Sequence, residues 1–261
     1  MGSLENYCDL KIIQDGTNSA VYKAYDIKNS RHVAIKIYKE NKKSTKYIKK
    51  EQLLIKHNHK SIIKIYETFV SKEGKSVVVM EYIRGLDLFY YIESFIHSKL
   101  KEEKAKKIIR PLLSALLYLK QNKIIHSDIK LENVLLETYH THVLRVVLTD
   151  FGLSYFDIGE FGKVDGFSGT LEYICPETYS SRIISYANDI WAVGVLYYIL
   201  ITGYYPFDGK NESVIEYKIL TKELDIPKSV SLPSRNILNR MLDKNMNTRI
   251  TVEELIDLEF F

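Results

Sequence analysis

Apolar and polar positions alternate at the start of the chain, through residues 12–13, 21–25 and 33–37, and this period of two predicts three strands separated by turn-rich segments. A helical pattern follows over residues 45–56, then two more strands at 62–69 and 76–81, joined by the turn Lys72-Glu73-Gly74-Lys75. From Leu86 onward the period becomes helical. Over residues 102–121, Ile108, Ile109, Leu112, Leu113, Leu116 and Leu119 share one stripe, as on an amphipathic helix. Residues 189–201 are apolar nearly all round, which predicts a buried central helix. The expected class is α+β: a small antiparallel sheet with one main helix over residues 1–82, then a larger, mainly helical lobe over 83–261, connected through 81–85. No repeat or low-complexity tract interrupts this order.

Composition narrows the picture only slightly. At 261 residues, 46% hydrophobic and 27% charged, the chain can bury a core and has little room for a separate regulatory domain. A net charge of +4 raises the question of nucleic acid, and the lysines between Lys36 and Lys50 are the densest patch. Only Tyr38 and Tyr47 interleave that patch, and it leads into a helix whose solvated face would carry the lysines, so nucleic-acid binding is not the expectation. The apolar stretch at 190–201 is too short to span a bilayer, and no basic-then-apolar leader opens the chain. Asn6 stands where a myristoylation signal needs Ser or Thr. Cys8 and Cys175 have no metal-ligand spacing and fit a reducing compartment, so an intracellular location, cytoplasmic or nuclear, is expected. No heptads point to an oligomeric state.

The chemistry is concentrated in His126-Ser127-Asp128-Ile129-Lys130-Leu131-Glu132-Asn133, with Asp150-Phe151-Gly152 seventeen positions after Asn133. Phosphoryl transfer needs this set: an Asp to accept a hydroxyl proton, a Lys to neutralise the moving phosphoryl, and an Asn with a second Asp to hold Mg²⁺ against a nucleotide. The pattern resembles the catalytic loop and metal-binding turn of eukaryotic protein kinases, and the resemblance extends from about Tyr7 to Phe261. It implies a bilobal kinase fold, ATP and Mg²⁺ as cofactors, and a protein substrate. Asp128 would be the base, Lys130 the phosphate contact, and Asn133 and Asp150 the metal ligands.

On the nucleotide side, Val33-Ala34-Ile35-Lys36 resembles the third-strand signature whose Lys grips the α- and β-phosphates. Its carboxylate partner would be Glu51, with Leu54 and Ile55 turning inward beside it; the short span to His59 leaves open a register that puts Lys50 there instead. Kinases usually carry three glycines over the phosphates, but Gln14-Asp15-Gly16-Thr17-Asn18-Ser19-Ala20-Val21 keeps only Gly16, which predicts weaker ATP binding or a more mobile loop. By resemblance, Val21, Ala34 and Leu135 would sandwich the adenine and Met80 guard the back of its pocket. The backbone of Glu81 and Ile83 would bond its edge, and Asp87 would meet the ribose.

The resemblance also separates structural from regulatory residues. Glu177 of Cys175-Pro176-Glu177 would pair with Arg249, and Asp189 would bond the catalytic-loop backbone. His126 and Phe151 would stack with Ile55 and Ile65, and His140 and His142 would be hairpin residues. Ser127 replaces the Arg that commonly receives an activation-loop phosphate, and the usual phosphosite falls at Gly166 beside Asp165, so activity without activation-loop phosphorylation is expected. Lys130 and Thr170 fit the serine/threonine branch. Asp87 and Glu132 would meet one basic residue upstream of the target hydroxyl, with Ile199 leaving no acid for a second. Phe167, Leu171 and Ile174 would line an apolar pocket after the phosphosite. The alternative to an active enzyme is a nucleotide-binding pseudokinase scaffold; phosphorylation of a small molecule or lipid fits the Thr170 and Pro176-Glu177 segments less well.

Overall fold

A computed structural model describes residues 2–39, 44–95, 99–140, 142–157, 161–163 and 170–261, with backbone alone at 44, 45 and 161. The chain opens with β1 (Tyr7–Asp15), β2 (Ser19–Asp26) and β3 (Arg31–Tyr38), crosses α1 (Ser44–Leu53), and returns through β4 (Ile65–Val70) and β5 (Ser76–Glu81). These strands form one sheet in the order β1-β2-β3-β5-β4, each neighbouring pair antiparallel. The period of two divides its faces. Val33, Ile35, Val77 and Val79 close a small cluster with Tyr7 and Ala24 on one side. Ala34, Tyr38, Val78 and Met80 join the main core on the other, and Lys36 shares their face by alternation.

The rest of the chain is mostly helical: β6 (Gly85–Asp87), α2 (Leu88–Glu93), α3 (Glu102–Gln121), β7 (Ile124–Ile125), the hairpin β8 (Val134–Tyr139) and β9 (His142–Leu148), and β10 (Tyr155–Phe156). Then come β11 (Phe161–Lys163), α4 (Pro176–Ser181), β12 (Ile183–Ser185), α5 (Tyr186–Thr202), α6 (Glu212–Thr221), α7 (Leu232–Met241) and α8 (Val252–Asp257). Helix α3 has the predicted bounds and buries the predicted stripe. Helix α5 is the buried centre: a Ser185–Asn188 capping box starts it, and Gly203 at φ 83° ends it in a left-handed turn.

Three expectations need correction. The strand expected at 62–69 begins only at Ile65, because Ser61 and Ile63 exchange backbone hydrogen bonds with Leu148 (both 2.9 Å) and are drawn onto the end of β9. The helix expected over 45–56 ends at Leu53 and continues as a single tighter turn, Leu54–Lys56, whose last carbonyls give way to His57 packed edge-on against Tyr118 of α3. Helical structure does not begin at Leu86. Residues 85–87 pair with β8, and Gly85 approaches it so closely that a Cβ would lie 1.8 Å from the Leu136 carbonyl oxygen. The Asp87 carboxylate then accepts the Tyr90 N–H (2.9 Å) and caps α2.

Candidate active site

Lys36 sits mid-strand in β3, opposite Val21 on β2 and Val78 on β5, so its backbone is fixed on both sides. Its ammonium lies 2.9 Å from Glu51 Oε1 and 2.9 Å from Asp150 Oδ1. Burial opposes the charge, but Asp150 and Glu51 outweigh it and hold the Lys36 pKa well above that of a free lysine. Burial raises the Glu51 pKa against the pull of Lys36, while at Asp150 Lys36 outweighs desolvation and keeps the pKa low. Asp150 is thus the more firmly ionised of the two carboxylates. Lys50, the alternative occupant in the sequence, points elsewhere: its Nζ lies 4.7 Å from the centroid of the Tyr155 ring, and burial together with Lys46 lowers its pKa to about 8.

Below this ion cluster, Asp189 of α5 builds the catalytic loop from beneath. Its carboxylate accepts the N–H of His126 (2.8 Å) and of Ser127 (2.9 Å). Burial pushes its pKa up to about 7, against those two bonds. They hold Ser127 in the left-handed region at φ 67°, and Asp150 across the site is also left-handed, at φ 63°. Strain of this kind in residues other than glycine persists only where the surroundings over-determine it. The His126 Nδ1 accepts the Asp128 N–H (3.2 Å), so its other nitrogen carries the proton and donates to the Thr149 carbonyl (3.0 Å). Burial lowers the His126 pKa to about 4 and keeps this neutral tautomer, and its ring packs edge-on against Phe151 at 4.5 Å. Ile65 is buried and Ile55 packs partly buried against the same core.

Asp128 emerges from this frame 9% exposed. Asn133 Nδ2 donates to both its backbone carbonyl (2.7 Å) and its Oδ2 (2.9 Å), and Lys130 Nζ lies 3.3 Å from the same oxygen. Burial raises the Asp128 pKa to about 6, with Lys130 pulling the other way. Because both Asn133 amide bonds go to Asp128, its side-chain oxygen is the atom left to serve a cation. An amide oxygen and the Asp150 carboxylate are hard ligands that suit Mg²⁺, which characteristically takes one or two protein oxygens and completes its shell with phosphates and water. Among the described residues no cluster of three His, Cys, Asp or Glu offers an all-protein metal cage.

The expected adenine residues lie on the inner strands of the sheet, on the segment that follows it and on β8. Ala34 and Met80 face each other across β3 and β5, Ile83 is buried, and Val21 and Leu135 are partly buried against the same core. The Glu81 N–H goes to the Lys64 carbonyl (2.9 Å), and its carboxylate is held by Arg145 (2.6 Å) and the Lys64 N–H (2.9 Å), so only its carbonyl is left for a purine. The β1–β2 turn is closed by Gly16 N–H to the Ser19 carbonyl (2.9 Å) and tied to the end of β3 by Lys39 N–H to Asn18 (2.9 Å) and the Lys39–Asp15 pair (2.7 Å). Asp87 caps α2 through Oδ1, and Ile199 is buried within α5. Leu171 and Ile174 are partly exposed, while Asp165, Gly166, Phe167 and Ser168 lie outside the described residues. His142 opens β9, and His140 occupies the preceding turn at φ 52°.

Two groups were not anticipated. Tyr38, two residues beyond Lys36 and therefore on the same face of β3, donates its hydroxyl to Glu51 Oε2 at 2.8 Å. The alternation that placed Lys36 was the available signal. The hydroxyl of buried Ser154 donates to the His126 carbonyl at 3.0 Å, a contact across 28 residues that nothing local announces. On the far side, Arg249 forms a two-pronged pair with Glu177 (2.6 and 2.9 Å) and stacks its guanidinium 5.0 Å from the Trp191 ring.

The chain is 33% identical over 259 residues to CBL-interacting protein kinase 32 of Oryza sativa subsp. japonica, covering 96% of this chain and 58% of that protein. It is 31% identical over 259 residues to CBL-interacting serine/threonine-protein kinase 3 of Arabidopsis thaliana, covering 96% and 57%. A probable serine/threonine-protein kinase of Dictyostelium discoideum is 28% identical over 262 residues, covering 98% and 56%. The chain thus spans little more than half the length of these relatives. The protein kinase domain matches residues 7–261, and this chain belongs to the protein kinase domain family.

Proposed function

We propose that the chain is a serine/threonine protein kinase that transfers the γ-phosphoryl of ATP to hydroxyls of a protein substrate. The observation that carries this reading is the Lys36 ammonium, buried and held at 2.9 Å from both Glu51 and Asp150, beside a loop that offers Asp128 as a base. Lys36 would bind the α- and β-phosphates, Asp128 would accept the proton of the incoming hydroxyl, and Lys130, 3.3 Å from Asp128, would steady the transferred group. Asn133 and Asp150 would hold Mg²⁺, which supplies charge neutralisation of the phosphates when bound. Residues 1–82 would hold the nucleotide and 83–261 the peptide. Incorporation of labelled phosphate from Mg-ATP into a mixture of basic proteins, absent with Asp128→Asn, tests the reading; nucleotide binding without transfer would turn it into a scaffold.

The pKa of Asp128 gives the site a pH signature. Asp128 accepts a proton only as the carboxylate, so kcat/KM should fall as pH drops through about 6. A profile flat between about pH 5 and 8 would remove Asp128 as the base.

Activity without activation-loop phosphorylation follows from Ser127, whose N–H is spent on Asp189 and whose side chain brings no cation to the loop. Ser154 is an unsuitable switch, since its hydroxyl is buried on the His126 carbonyl. Phosphatase-treated protein should retain its rate; an inert preparation revived by phosphorylation of Ser154 or Ser168 would refute this. A basic residue upstream in the substrate is favoured because Glu132 raises the pKa of Asp87, after burial, and a guanidinium between the two carboxylates would relieve that repulsion.

A further inference from the structure

Tyr38 has no part in the chemistry just proposed, yet it is buried at 3% exposure where β3, α1 and the turn after Asp150 converge. Glu51 offers two carboxylate oxygens in a site where it is 2% exposed: Oε1 is taken by Lys36 and Oε2 by the Tyr38 hydroxyl. The same Tyr38 ring lies 4.8 Å from the Lys36 ammonium and 5.9 Å from the Tyr47 ring of α1. Gly152 completes the enclosure, for a Cβ there would come within 3.3 Å of the Tyr38 hydroxyl oxygen and 3.6 Å of Tyr47 Cβ.

We propose that Tyr38 is a positioning residue that clamps Glu51 onto Lys36 and so holds α1 engaged with the nucleotide site without a phosphate. The physical basis is the satisfaction of a buried carboxylate. With one oxygen on Lys36 alone, Glu51 would keep a second oxygen desolvated and unpaired, and rotating α1 outward would be the cheapest way to rehydrate it. The Tyr38 hydroxyl removes that incentive. It donates from the last residue of β3, which pairs with Ser19 of β2 one position beyond the stretch paired on both sides, so the clamp is anchored to the sheet. Its close approach to Gly152, where a Cβ would crowd the hydroxyl, would extend the clamp to the segment carrying Asp150. Burial raises the Tyr38 pKa far beyond neutrality, so the hydroxyl keeps the proton it donates.

The clamp rests on the kinase reading for its consequence but not for its existence, and the test separates the two. In Tyr38→Phe the ring stays and only the hydroxyl is lost. Hydrogen exchange in the nucleotide-free protein should then quicken in α1 by about 10- to 100-fold, the range expected for one hydrogen bond to a charged acceptor, while β5 amides serve as an unchanged reference. Phosphoryl transfer should show a raised KM for ATP as Lys36 loses its fixed partner. In a Glu51→Met background the hydroxyl has no side-chain oxygen to hold, so Tyr38→Phe should add little to either readout. Unchanged α1 exchange, equal acceleration in α1 and β5, or a full Tyr38→Phe effect in the Glu51→Met background would each overturn the proposal. If the wild-type protein transfers no phosphate but α1 exchange responds as stated, the functional reading fails and the clamp stands.

Discussion

Asp128→Asn is expected to lower kcat for protein phosphorylation by about 10²- to 10⁴-fold, the range associated with a positioned general base, without loss of the fold. The amide is nearly isosteric and its oxygen can still accept the Asn133 Nδ2 hydrogen bond that now reaches Oδ2 at 2.9 Å. What disappears is the capacity to accept a proton. Stability should be unchanged or slightly higher, by linkage: the folded pKa of Asp128, about 6, lies above the ordinary 3.8, so the fold disfavours the ionised form that prevails at neutral pH. The destabilisation from this group is therefore full above about 6 and relieved as pH falls through that value toward 3.8. Steady-state kinetics with thermal unfolding of the same preparation separate the two effects. A variant that retains the wild-type rate would show that another group takes the proton.

Arg249→Ala should be the most damaging single change to stability, at about 3–5 kcal/mol, the cost of breaking a buried ion pair by removing one partner. Arg249 is completely buried at its side chain and makes two bonds to Glu177, one to the Asp243 carbonyl (2.8 Å) and one to the Ala187 carbonyl (3.0 Å). Truncation leaves the Glu177 carboxylate in a dry site with no counter-charge and removes the cation stacked on Trp191. For a chain of this size the loss corresponds to a fall in Tm of roughly 6–20 °C. The double variant Glu177→Gln/Arg249→Met should lose less than Arg249→Ala alone, because it buries no orphan charge. A double variant as unstable as the sum of its single changes would mean the pair acts through packing rather than charge. Since Glu177 lies in the first turn of α4, shortly after the segment at Thr170, loosening of that segment should accompany the loss.

Period and punctuation made much of the fold legible. Strands β2, β3 and β5 and helices α3 and α5 could be placed because each carries an uninterrupted apolar pattern that burial on one face, or all round, requires. The boundaries that moved did so where tertiary contacts claimed the backbone. Residues 61–63 read as strand by composition, but Leu148 takes their hydrogen bonds. Residues 85–87 sit on the approach to a helical pattern, but the Leu136 carbonyl packs against Gly85 and draws them into a sheet.

At the site, residue identity and spacing determined the chemical inventory: Lys36, Asp128, Lys130, Asn133 and Asp150 were available from the chain alone, because phosphoryl transfer needs those groups in that order. Tertiary structure alone decided which carboxylate meets which cation. Spacing favoured position 51 but left position 50 open, and the packing of α1 against the sheet turned Glu51 to Lys36 and Lys50 to Tyr155. Tertiary structure likewise set the pKa of Asp128 and supplied the Tyr38 and Ser154 bonds, because desolvation and hydrogen bonding depend on neighbours that lie tens of residues away in sequence. Local pattern specifies which face of an element is buried, whereas the partner it is buried against is fixed only when the elements close on one another.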